Sequence, residues 1–126
     1  MTQGTPFTVD VHDEPPGTRL LRVRGDVDME SAPELRGVVG HEMAHLSPGD
    51  TLVIDLGGVE TLDSSGLSVL IMAKRHSDTA GVTLALRNVT PHQESVLRRT
   101  GLAAFLLDAG HLADRARGPL EDSVGG

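Results

Sequence analysis

Two short stretches of this 126-residue chain hold residue types that can do chemistry. The first is Asp63-Ser64-Ser65-Gly66-Leu67, a carboxylate and two hydroxyls lying between an apolar run and a segment of helical periodicity. A serine at the mouth of a helix stands beside unpaired backbone amides and the positive end of the helix dipole, so a phosphate placed there is favoured. The plainer account is that Asp63 or Ser64 caps the helix, because both residue types accept hydrogen bonds from first-turn amides. On this segment alone the cap is the simpler account.

The second stretch is His41-Glu42-Met43-Ala44-His45, an HExxH pattern. On a helix it sets two imidazoles one turn apart, as zinc ligands, with a glutamate between them as general base. A catalytic zinc also needs a third protein ligand and an open coordination position. After His45 come Leu46-Ser47-Pro48-Gly49-Asp50, which end the helix without another histidine, and a distant Glu60 is the one candidate for third ligand. A zinc metalloprotease is therefore a remote alternative. The expected arrangement has both histidines on a solvated flank, Glu42 as a surface or stripe-edge residue, and no metal. GxGxxG, Walker A and GxSxG patterns are absent, and Arg98-Arg99 suits the end of a helix dipole.

The elements that position these stretches follow from hydrophobic period and turn chemistry. Phe7 to His12 alternates apolar and polar residues as a half-buried strand does, and Asp13 to Gly17, with two prolines, forms a hairpin loop into a strand from Thr18 to Val23. The adjacent Leu20 and Leu21 imply cover on both faces of that strand. Ser31-Ala32-Pro33-Glu34 has the spacing of a capping box, and Leu35, Val38, Val39, Glu42, Met43 and Leu46 continue as a helical stripe. Thr51 to Leu56 is a β-branched strand closed by the Gly57-Gly58 turn signal. A helix from about Ser65 to Ser77 follows, with the stripe Leu67, Leu70, Ile71 and Lys74. Val82 to Leu86 is a further strand. Thr90-Pro91-His92-Gln93 opens a third helix with a capping box, and Gly101 is its natural stop. Phe105-Leu106-Leu107 reads as a short edge strand, His111 to Arg117 as a terminal helix, and residues 118–126 as a frayed tail. The order β-β-α-β-α-β-α-β(-α) implies a single α/β domain of residues 1–126, core about 7–107. Its mixed sheet has four to five strands with helices packed against it.

Composition narrows the function classes. Eleven basic against eighteen acidic residues give a net charge of −7, which argues against a nucleic-acid partner, and two phenylalanines as the only aromatics provide no stacking platform for bases. The absence of cysteine removes disulfides and thiolate metal sites. The polar start Met1-Thr2-Gln3-Gly4-Thr5-Pro6 has no apolar signal core, and no segment is apolar for the roughly 20 residues of a membrane span, so a cytoplasmic protein without membrane association is expected.

Three blocks, in this order, resemble the STAS-domain anti-sigma factor antagonists of bacterial partner-switching systems. They are Gly25-Asp26-Val27-Asp28 with Ser31-Ala32-Pro33-Glu34-Leu35, then Val53-Ile54-Asp55-Leu56 through Asp63-Ser64-Ser65-Gly66-Leu67, and Asn88-Val89-Thr90-Pro91 with Thr100-Gly101-Leu102. The resemblance implies a mixed sheet with helices on one side and a non-enzymatic regulator of transcription in stress responses, needing no cofactor. It further implies that Ser64 is phosphorylated by an anti-sigma factor that is an ATP-dependent serine kinase. Phosphorylation would abolish binding until a PP2C-type phosphatase reverses it. By the same matching Asp28 lies near the serine loop, and Asp63, Ser64, Ser65, Gly66 and Ser68 face the partner. Ser68 departs from the family, which commonly has glycine there, and so bears on partner choice. Some STAS domains act instead as unphosphorylated scaffolds or transporter-associated modules.

Overall fold

The computed structural model describes residues 6–99. They form β1 (Thr8–Asp13), β2 (Thr18–Val27), α1 (Ala32–Ala44), β3 (Thr51–Leu62), α2 (Ser64–Ala80), β4 (Thr83–Arg87) and α3 (Pro91–Arg99). Among the described residues the sheet has four strands in the order β1-β2-β3-β4. The tight β1–β2 loop makes that pair antiparallel, whereas β2, β3 and β4, separated by helices, run parallel. The expected order is thus realised through α3. The Gly101 stop, the Phe105–Leu107 strand, the His111–Arg117 helix and the tail lie outside the described residues.

Period-2 alternation sorts the strand residues onto two faces. Leu21, Leu52, Ile54 and Leu86 face the helices and share one core with Leu35, Val39, Leu70 and Leu97. Leu20, Val53 and Ala85, paired in register across β2, β3 and β4, form a second cluster on the other face. Both faces of β2 are buried, as the adjacent leucines imply. Burial on α2 extends past the Leu67 and Leu70 stripe: Val69 and Ala73 are fully buried, while Ile71 and Lys74 are half-buried at its edge. The cause is that α2 packs on α1 as well as on the sheet, so two of its flanks lose water.

Strand β3 does not stop at Gly57-Gly58. It continues to Leu62 with two bulges, since Arg22 pairs with Asp55 but Arg24 with Gly58, and Gly25 pairs with Val59 but Asp26 with Thr61. A side chain at either glycine would be crowded. A Cβ at Gly58 would lie 2.9 Å from Arg24 Cγ, and one at Gly57 3.1 Å from Asn88 Cβ. Gln93 stabilises the bulged segment. Its Oε1 accepts from Thr90 N (3.0 Å) and Thr90 Oγ1 accepts from Gln93 N (3.1 Å), so the expected capping box is present. The same side chain is buried, and its Nε2 donates to the carbonyls of Leu56 (2.9 Å) and Val59 (3.3 Å) on either side of the glycines. One amide therefore caps α3 and ties it to β3.

The other expected box, Ser31 with Glu34, does not form. Ser31 Oγ donates to Asp26 O (2.7 Å) and accepts from Asp28 N (3.0 Å), so the hydroxyl is committed to the preceding loop rather than to the first turn of α1.

Helix α2 is seated by Gly66. A Cβ there would stand 2.6 Å from Leu62 Cδ1 and 2.7 Å from Val27 Cγ1, at the ends of β3 and β2. Two outcomes follow from these contacts. Gly66→Ala destabilises the fold by about 1–3 kcal/mol through overpacking, read as a lower urea midpoint with an unchanged m value. Gln93→Ala removes half of a cap and leaves two buried carbonyls without their donor, a loss of about 2–4 kcal/mol by the same denaturation assay; a change below about 0.5 kcal/mol would refute the bridging role.

Candidate functional site

Parallel strands β2 and β3 finish side by side. Val27 pairs with Leu62, and Asp63 N donates to Val27 O (3.2 Å), so Asp28 and Asp63 each stand one residue beyond the last pair. The carboxyl ends of parallel strands are where open α/β sheets present their binding loops.

Both aspartates are occupied in turning the chain. Asp63 is extended (φ −100°, ψ −171°), and its Oδ1 accepts from Ser65 N (2.8 Å) and Gly66 N (3.2 Å), making it the N-cap of α2. Asp28 Oδ1 accepts from Glu30 N (2.9 Å) and Ser31 N (3.1 Å), which folds the β2–α1 loop. The expectation that first-turn amides would receive a phosphate on Ser64 is therefore corrected for two of them. The amides of Ser65 and Gly66 already bind the Asp63 carboxylate, because a short side chain at the N-cap reaches the second and third helical residues.

Capping by Asp63 makes Ser64 the first residue of α2. It is exposed, and its hydroxyl makes no hydrogen bond among the described residues. Ser68, one turn on, is also exposed and donates from Oγ to Ser64 O (3.0 Å). Ser65 is half-buried and Gly66 buried, the latter setting the depth of the helix rather than offering surface. Of the six positions singled out in the sequence, Ser64 and Ser68 are the open ones.

The structure adds residues that the sequence did not single out. Met29, Pro33 and Arg36 come from the loop before α1 and from its first turns. With Ala32 they face Ser65 and Ser68 across a shallow depression of about 240 Å3. Met29 is 75% exposed, a large apolar side chain left in water. Its sequence signal was its place between Asp28 and Glu30, outside both the strand and the helix pattern.

The HExxH stretch has another role. Glu42, expected at the surface or stripe edge, is 8% exposed and ion-paired with Arg19, which also pairs with Asp13 at 2.6 Å. Helix α1 is thereby fastened to the start of β2, and the glutamate is held away from any role as a base. His41 and His45 are exposed, with rings 4.6 Å apart and His45 Nδ1 2.8 Å from His41 O. Among the described residues no three His, Asp or Glu side chains converge as a cation site, and no helix is long and apolar enough to cross a membrane.

Comparison with known proteins agrees with this geometry. The family described as "Mlab, STAS domain" matches residues 11–108. An anti-sigma factor antagonist from Mycobacterium paratuberculosis superimposes with a TM-score of 0.68 at 32% identity, over 87% of this chain and 95% of that one. The anti-sigma F factor antagonist of Lysinibacillus sphaericus is 26% identical over 105 residues, which is 80% of this chain and 87% of the relative. The Bacillus cell fate determinant SpoIIAA, in its phosphorylated form, shares the fold with a TM-score of 0.61 at 19% identity, over 87% of this chain and 98% of that one. With a matched family and a mixed four-stranded sheet carrying an exposed serine where β3 enters α2, the chain belongs to the STAS-domain family.

Proposed function

We propose that this STAS domain is an anti-sigma factor antagonist with no catalysis of its own. Its unmodified form binds an anti-sigma factor serine kinase, and phosphorylation of Ser64 releases it. The observation that carries the reading is Ser64 itself, exposed at the start of α2 with its hydroxyl unbonded among the described residues, in a chain 32% identical to a mycobacterial antagonist. The kinase transfers the γ-phosphoryl group of ATP to Ser64 Oγ, the hydroxyl proton is lost and ADP leaves. A PP2C-type phosphatase hydrolyses the ester and restores the serine. The working compartment is the cytoplasm, where kinase, ATP and sigma factor meet.

Geometry explains why such a modification would act on binding and not on folding. Ser64 is exposed, so a phosphate enters without displacing core atoms. It adds about −1.5 to −2 charges at pH 7, one residue from Asp63 and beside the strand end that carries Asp28. Fold-stabilising contacts such as the Asp63 cap are unchanged. Repulsion and desolvation fall on the interface alone, and about 3 kcal/mol there weakens binding on the order of 100-fold. Asp28, Asp63, Ser65, Gly66 and Ser68 shape or line this partner surface, and Met29 and Pro33 give it an apolar margin. That SpoIIAA, a protein of this fold, exists in a phosphorylated form supports the reading.

Incubation with the cognate kinase and ATP is expected to add one phosphate by mass spectrometry, lost in Ser64→Ala. Phosphate retained by that variant would move the site to Ser65 or Ser68. Ser64→Asp, which carries less charge than the phosphate, is expected to weaken binding to the kinase at least about tenfold by calorimetry while the urea midpoint stays within error; wild-type affinity in that variant would sink the charge argument.

A further inference from the structure

The start of α2 carries no cationic side chain to pair with a phosphate on Ser64. The amides of Ser65 and Gly66 are held by Asp63, and the carboxylates of Asp63 and Asp28 repel a second anion. Most cations of the described chain are committed elsewhere. Arg19 pairs with Asp13 and Glu42, Arg22 with Asp55, Lys74 with Asp78, Arg87 with Glu14 and Arg98 with Glu94.

Arg36 is different. It is exposed and makes no ion pair or hydrogen bond among the described residues. From α1 it lines the same depression as Ser65 and Ser68, and Ser68 is hydrogen-bonded to the backbone of Ser64. The other exposed arginines that are unpaired among the described residues line no part of that depression. Arg75 is eleven residues further along α2, roughly 16 Å at 1.5 Å per residue, Arg24 lies on the sheet opposite Gly58, and Arg99 ends α3.

We propose that Arg36 is the phosphate-binding residue of the modified protein, its guanidinium closing across the depression onto the Ser64 phosphate. This rests on the reading of Ser64 as the modified residue. The planar guanidinium can grip two phosphate oxygens at once, which a lysine at the same place could not. Modification then does more than add charge. It draws Arg36 off the open surface and ties α1 to the start of α2, so the partner loses a cation as well as meeting an anion.

The test needs no kinase. Phosphoserine is incorporated at position 64 during synthesis, and the 31P resonance of the folded protein is followed through the second ionisation of the phosphate. A guanidinium favours the dianion, so its removal in Arg36→Gln is expected to raise the midpoint, with proton affinity up roughly two- to fivefold, the range of an exposed ion pair. The carboxylates at the strand ends, Asp28 and Asp63, and those of the β2–α1 loop and first turn of α1, Glu30 and Glu34, are the same in both proteins and cancel. Arg36→Lys is expected to keep part of the effect and Arg75→Gln to leave the midpoint unchanged. Identical midpoints for wild type and Arg36→Gln, or an equal shift in Arg75→Gln, overturn the assignment. Failure of the kinase to modify Ser64 would instead overturn the function proposed above, whatever this titration shows.

Discussion

Gly66 carries a hydrogen where any other residue would drive a carbon to within 2.6 Å of Leu62 and 2.7 Å of Val27, and the position of the site depends on that gap. Because α2 can settle on the ends of β2 and β3, its first turn lies beside the β2–α1 loop, and Ser64 is carried to the rim of the sheet. The helix is then anchored downstream by Val69, Leu70 and Ala73, none of which retains any exposure. A serine held in this way is fixed by the end of β3 and the first turn of a buried helix, yet its own hydroxyl is left free. Such a place suits a modification that must alter the surface without disturbing what lies beneath it.

The acidic residues divide according to the same economy. Asp63 and Asp28 bind backbone amides and shape the loops of the site, while Asp55 and Glu42 are buried with partners. Asp55 accepts from Gly57 N (2.8 Å) and Asn88 Nδ2 (3.0 Å), and Glu42 is ion-paired with Arg19. Removing one member of such a buried set strands the others without water or partner, so these residues belong to the scaffold. The letter match to a zinc motif in α1 illustrates the point. Glu42 is held by a residue 23 positions earlier in the chain, and a local pattern cannot register a partner at that distance.

Strand and helix order were legible because they rest on local physics. Alternation marked β1, apolar runs marked β2, β3 and β4, helical stripes marked α1 and α2, and the Thr90–Gln93 box marked the start of α3 correctly. Where local rules failed, a tertiary contact had taken over the group they relied on. Ser31 left its box to bond Asp26, and Gly57-Gly58, the usual sign of a turn, served instead to let Asn88 and Arg24 approach a bulged strand. Ile71, counted in the stripe, lies half-buried at the margin, while Val69, outside it, is fully buried in a helix that packs on α1 as well as on the sheet.

For the site, the chain order Asp-Ser-Ser-Gly after an apolar strand was enough to locate the junction and its hydroxyls, since capping preference and helical period are properties of neighbouring residues. Which side chain caps, which serine stays open and which distant groups stand beside it were decided only on folding. The Asp63 carboxylate took the amides of Ser65 and Gly66, Gly66 disappeared under Leu62 and Val27, and Met29, Pro33 and Arg36 arrived from α1 and its loop, about thirty positions earlier. Local sequence sets the menu of hydrogen bonds each residue can make. The packing of α1 beside α2 on a parallel sheet selects among them, because only there do groups far apart in the chain compete for the same donors and the same space.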